Sequence, residues 1–188
     1  MDGSFFYGAS QSQQVDMVTG APQSSGLFKC YTTTAVAGAV VGTTSAPALY
    51  NPVNSGVVLR IMRVRYGAVA GTVIAGSITQ GIIAAPTISG LTLGPTPFNG
   101  FVGRGQSWLG AWYTGITVGA AATILFPAGI SAGGAYAAGP LFTMVDNVDG
   151  AIVLPPGALF YPYLSNAALA MTAIITVDVL QTPMLAGF

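Results

Sequence analysis

At 188 residues the chain suits one domain with room for a substantial core. Only 5 % of residues are charged, against about 25 % in an average soluble protein, and the formal net charge is zero. There is no His and no Glu, so His-based catalysis and His metal sites are excluded, and the basic excess usual in nucleic-acid binders is missing.

A monomer of this mass would expose roughly 8,000 Å², or about 800 Å² for each charge, which is sparse for a surface left in water. The surface is therefore expected to be covered by copies of the chain or by another protein. A membrane is not the expected cover. Residues 66–103 and 105–145 carry no charge, but both are threaded with Gly, Thr, Ser and Pro. Neither has the continuous apolar content of a spanning helix, although a transmembrane β-barrel stays open as an alternative. Met1-Asp2-Gly3-Ser4 has no positive n-region, so no secretory signal is expected. Cys30 is alone, which leaves no intrachain disulfide and no cysteine metal cluster.

In chain order, residues 1–26 are rich in Gln, Ser and Gly and read as an arm or linker. Residues 27–34 begin a β pattern. Residues 35–42 and 68–75 echo each other (Ala-Val-Ala-Gly), which this Ala/Val/Gly bias explains as coincidence. Asn51-Pro52 and Asn54-Ser55-Gly56 are turn chemistry. Residues 57–66 then form the strongest strand signal, apolar and β-branched with no Gly or Pro. This run holds Arg60, Arg63 and Arg65. Strict alternation puts Val57, Leu59, Ile61, Arg63 and Arg65 on one face and Val58, Arg60, Met62, Val64 and Tyr66 on the other.

Residues 69–83 are a second β-rich run. Pro86, Pro95, Pro97 and Asn99-Gly100 mark a long irregular connection, and residues 101–118 carry Trp108, Trp112 and Tyr113. Residues 123–126 read as a short strand closed by Pro127-Ala128-Gly129. Residues 141–145 lead to a turn at Asp146-Asn147-Val148-Asp149-Gly150. Residues 151–154 are a strand stopped by Pro155-Pro156-Gly157, and residues 158–163 resume it. A final strand spans 168–180, with Thr172, Thr176 and Asp178 on one face. About eight short strands between Gly/Pro turns, with no convincing amphipathic helix, predict an all-β protein. The expected form is an antiparallel β-sandwich over residues 27–188 with an N-terminal arm over 1–26.

Few motifs carry chemistry. Gly129-Ile130-Ser131-Ala132-Gly133 matches the nucleophile elbow, but no His is present to act as its base. Lys29 lacks the glycine context of a phosphate-binding loop. Asp146 and Asp149 offer oxygens for Ca²⁺, but the spacing and terminal Glu of an EF-hand are missing, so a plain turn is favoured. No metal or cofactor is expected. Trp108 and Trp112 share a face at either strand or helix spacing and would suit a sugar platform, or more often a core or interface anchor. Arg60, Arg63 and Arg65 read as a charged rim for a protein partner rather than for nucleic acid.

Two stretches carry a resemblance. Asn-Pro-x-Asn-Ser-Gly runs into Val-x-Leu-x-Ile-x-Arg-Val over residues 51–64, and Ile152-Val153-Leu154-Pro155-Pro156-Gly157-Ala158-Leu159 joins two strands through a proline turn. Together they resemble small β-sandwich virion proteins of tailed bacteriophages, in particular the jelly-roll cement (decoration) proteins that sit as trimers on the capsid. The resemblance implies a single jelly-roll-like sandwich, a homotrimer, and the major capsid protein of the same virus as partner. It implies a place on the capsid surface of the virion after assembly in the host cytoplasm, and an N-terminal segment that reaches a neighbouring subunit. It implies no catalytic residues. The expectation is a structural protein that stabilises an assembled shell, with residues 1–26 and the three arginines facing it. The alternatives are a tail or fibre module binding a host glycan through Trp108 and Trp112, another coat component, and, more distantly, an enzyme.

Overall fold

The computed structural model describes residues 26–33, 36–37, 47–73, 76–84, 86–100, 106–118, 124–131, 134–136, 143–164 and 172–184. Among these there are thirteen strands and no helix: β1 Gly26–Tyr31, β2 Val36–Ala37, β3 Ala48–Tyr50, β4 Val57–Val73, β5 Gly76–Ala84, β6 Ile88–Leu93, β7 Phe98–Asn99, β8 Ala111–Val118, β9 Ile124–Ser131, β10 Gly134–Tyr136, β11 Thr143–Leu154, β12 Ala158–Leu164 and β13 Thr172–Pro183. The all-β expectation holds. The expected arm, save Gly26, lies outside the described residues; Gly26 opens β1.

The strands form two antiparallel sheets. One runs β10-β4-β13-β1-β7, with β11 also on β4 and β2 also on β13; the other runs β6-β8-β3-β12-β5-β9. Within them the pairing is nested. β1 pairs β13, β3 pairs β12, β4 pairs β11 and β5 pairs β9. Two further pairings, β4 with β13 and β5 with β12, bring the nested hairpins together into sheets. The two echoed Ala-Val segments flank the start of β13: Ala173 pairs with both Val36 and Ala68.

The main core lies between the sheets. Val57, Leu59, Ile61, Val64 and Tyr66 of β4 meet Leu49 of β3, Trp112 of β8 and Phe160 of β12 in one buried cluster. Each fully buried Leu, Ile or Phe contributes about 1.5–3 kcal/mol of transfer free energy. A second cluster joins Ala48, Tyr113, Leu159 and Tyr161, which occupy the alternate positions on the same strands. The six-stranded sheet is therefore buried on both faces there.

Several boundaries differ from expectation for physical reasons. β4 continues seven residues past Tyr66, because Gly67 and the Ala/Val run still find ladder partners in β13 and β11 or β10. Pro127 does not close a strand. β9 is an edge strand, and its register shifts beside Thr79, where a missing N–H is tolerated. The region 86–100 contains β6 and β7. The residues around Asp149 do not end a strand either. Asp149 (φ 49°) and Gly150 (φ 80°) are left-handed, as turn residues are, but they lie within β11. The chain makes a local excursion between Asn147 and Ile152, opposite a single extra residue of β4.

That extra residue is Met62. Arg63 pairs with Asp178 and Ile61 with Val179, so Met62 is a β-bulge. The bulge reverses the alternation. Val57, Leu59 and Ile61 face the core, and so do Val64 and Tyr66, while Arg63 is exposed. The expected split of the arginines between two faces is corrected: all three point outward.

Two turns meet at Asn51, which is fully buried. Its Nδ2 donates to the carbonyls of Val57 and Leu154, both at 2.9 Å. Its own N–H donates to Ala158 O, and its carbonyl accepts from Gly157 N. Gly157 has φ +86°, a conformation that L side chains rarely adopt.

Candidate functional site: a basic sheet face

The outward face of the larger sheet is a grid of three rows, read across β1, β13, β4 and β11. The first is Tyr31, Thr176, Arg65, Val145; the second Lys29, Asp178, Arg63, Asn147; the third Leu27, Leu180, Arg60, Val153. Four of the chain's five basic residues stand on this grid, with Asp178 among them.

Asp178 is the electrostatic centre, and its side chain is only 12 % exposed. Arg65 Nη2 donates to Oδ2 at 2.9 Å; Arg63 Nε stands 3.7 Å from Oδ2, and Lys29 Nζ 3.7 Å from Oδ1. Only the Arg65 contact is a hydrogen bond, and Oδ1 accepts none. The cations are the reason an outward-facing carboxylate is buried at all: their stems cover it while their heads stay wet. One acid cannot neutralise four bases, so the grid carries an excess of three charges. Even counting Asp149, in the excursion whose Gly150 lies beside Arg60, the excess is two. Among the described residues Arg60 makes no ion pair.

Apolar side chains are interleaved with this charge. Val145, Val153, Ile174 and Phe98 are all exposed. Phe98, on β7 beside β1, lies edge-on to Tyr31 with centroids 6.3 Å apart, and Lys29 Nζ is 5.7 Å from its ring centre. On the opposite side of β1, Cys30 is buried; burial first, and the nearby Asp178 charge second, push its thiol well above its ordinary value.

The structure brings Arg60, Arg63 and Arg65 together, and adds Lys29 and Asp178, which sequence reasoning did not place with them. It does not bring the tryptophans to the surface as a pair. Both pack on the main core cluster, Trp112 from β8 and Trp108 from the loop that precedes it. Trp112 is 2 % exposed and donates Nε1–H to Tyr31 O at 2.8 Å. Trp108 is half-buried against Phe28, with ring centroids 5.0 Å apart. Gln181 holds that loop by accepting from Leu109 N and donating to Ser107 O, both at 2.9 Å.

Ser131 of the elbow-like motif is the last residue of β9, paired with Gly76. Asp146 sits opposite Val64 in the ladder, and among the described residues no three His, Cys, Asp or Glu side chains cluster as a metal site would require. No described helix is long and apolar enough to cross a membrane.

No family model matches the chain, and comparison with curated proteins and with solved structures found no match. Fold and face define a class only: an all-β protein of two antiparallel sheets with a basic, partly apolar outer face.

Proposed function

We propose that this protein is a virion structural protein, a cement component that binds an assembled capsid shell as an oligomer and strengthens it by contact rather than catalysis. The observation that carries the reading is the strand order. β1-β13-β4-β11 faces β3-β12-β5-β9, with first strand paired to last and the rest nested inside. This order supports reading the sandwich as an eight-stranded jelly roll, an architecture common in viral coat proteins, with β6–β8 as an insertion between its fourth and fifth strands. Because jelly rolls also serve lectins and enzymes, the fold alone does not give a function. The shortage of charge and the absence of His and Glu add to it: they disfavour catalysis and favour a covered surface. A closed homotrimer is the oligomer we expect, with residues 1–26 and the arginine face toward the shell. The fibre reading is weaker, because buried Trp112 leaves no two-tryptophan platform for a sugar.

The test compares particles with and without the protein for rupture by heat or osmotic shock. Particles lacking it should rupture sooner, since a ligand of the assembled state stabilises it by mass action. Equal rupture, or location only at the tail tip, defeats the cement reading. Sedimentation of the free protein should show a trimer; a well-behaved monomer contradicts the oligomer.

A further inference from the structure

We propose that the outward face of the β1-β13-β4-β11 sheet docks on an acidic protein surface, and that Arg60 and Arg63 are the residues that receive its carboxylates. The inference rests on the reading above that the protein works by contact with a shell, and it names the chemistry of that contact.

The argument starts from which cations are already engaged. Arg65 is hydrogen-bonded to Asp178, and Lys29 is held between Asp178 and the Phe98 ring. Arg63 touches Asp178 only at 3.7 Å, and its side chain is 45 % exposed. Arg60 has no ion pair among the described residues, and it is exposed. Two guanidiniums therefore point into solvent with donors to spare, and a guanidinium fork matches a carboxylate. They lie three residues apart on a bulged strand, so the partner needs two acids within about 10 Å at about 3.3 Å of rise per residue. Asp178 makes the face selective in a second way. It holds Arg65 and Lys29 in place, so the apolar positions beside them keep a fixed surface.

Those apolar positions decide between protein and nucleic acid. Val145, Val153, Ile174 and Phe98 are exposed among the charges. A protein surface supplies apolar partners to such positions; a phosphate backbone supplies none. Arginine and aromatic residues set among aliphatic ones are the usual composition of protein interfaces. The basic excess is also local to this face, within a chain of zero net charge, where nucleic-acid binders carry an overall basic excess.

The experiment uses the full chain and particles stripped of it. Co-sedimentation is measured in about 0.1 and about 1 M NaCl, between which the screening length falls from about 10 to about 3 Å. Binding of the wild type should fall at least about tenfold at the higher salt. Arg60→Glu/Arg63→Glu should lose at least about tenfold at low salt, with unchanged circular dichroism and sedimentation, while Arg60→Lys/Arg63→Lys, which keeps the charge but not the fork, should fall between the two. Arg60→Glu alone, which breaks no described ion pair, guards against a folding defect and should lose several-fold. Poly-L-glutamate should displace the protein and a DNA duplex should not. If the glutamate variants bind as tightly as wild type while wild type still protects particles, this face is not the docking site and the shell reading survives. If the duplex displaces and poly-L-glutamate does not, the face is a nucleic-acid site and the proposal is wrong. If wild type binds no particle at either salt, both readings fall.

Discussion

Asn51 Nδ2 donates to the carbonyl of Leu154 at 2.9 Å, joining residues 103 positions apart in the chain. The same amide donates to Val57 O, so one buried side chain ties the turn before β4 to the end of β11. Asn51→Ala would take this donor from the buried Leu154 carbonyl and leave Val57 O with the longer contact from Ser55 Oγ at 3.3 Å. The expected cost is about 1–3 kcal/mol, read as a lower urea midpoint with an unchanged slope. Asn51→Asp should do no better, because an ionised carboxylate has no proton to donate. A change under about 0.5 kcal/mol would show that other groups satisfy these carbonyls.

Met62 sets the direction of every side chain after it on β4. Met62→Ala keeps the extra residue and should cost under about 1.5 kcal/mol, since Met62 is only half-buried. Deleting Met62 should leave the fold intact, because Arg63 would then follow Ile61 directly and plain alternation would keep Arg63 and Arg65 outward and Val64 and Tyr66 in the core. Loss of the folded state on this deletion, read by circular dichroism, would refute the bulge.

The three ion pairs of Asp178 should be unequal. In double-mutant cycles the Arg65–Asp178 coupling should reach about 1 kcal/mol and the Lys29–Asp178 coupling stay under about 0.5, since both cations are about one-third exposed and only the first pair is hydrogen-bonded. Equal couplings would mean the carboxylate is shared evenly. Thermal melts of the wild type and the five variants of the two cycles in low salt would provide the values.

Cys30 should be inert in the folded protein. Its thiol is fully buried, and its proton is held more tightly than in the unfolded chain. Modification by a thiol reagent should therefore track global unfolding. The folded state keeps a proton that the unfolded state releases, so stability should be intact below about pH 9, the ordinary thiol value, and fall as pH rises above it. Cys30→Ala should flatten that alkaline decline. Fast labelling under native conditions would contradict the burial.

What the sequence by itself determined was the local grammar. The β-branched run after Asn54-Ser55-Gly56, the Pro155-Pro156-Gly157 turn and the spacing of Gly and Pro were enough for an all-β chain, because strand propensity and turn chemistry act over a few residues. The two stretches singled out together, around Asn51 and Leu154, are in contact, yet nothing local says that Asn51 reaches across to Leu154.

Tertiary structure decided the site. Strict alternation assigned Arg63 and Arg65 to the face of Leu59, and one bulged residue overturned that assignment; a bulge is a property of two paired strands, invisible in either alone. Lys29 and Asp178 join the arginines only because β1 and β13 pair in one register, which places Lys29, Asp178 and Arg63 in a row. The spacing of Trp108 and Trp112 suggested one face, but Trp108 lies in the loop before β8, so strand alternation does not relate the two. That both pack on the core could not be read locally, since burial is decided by what the opposite sheet brings against them.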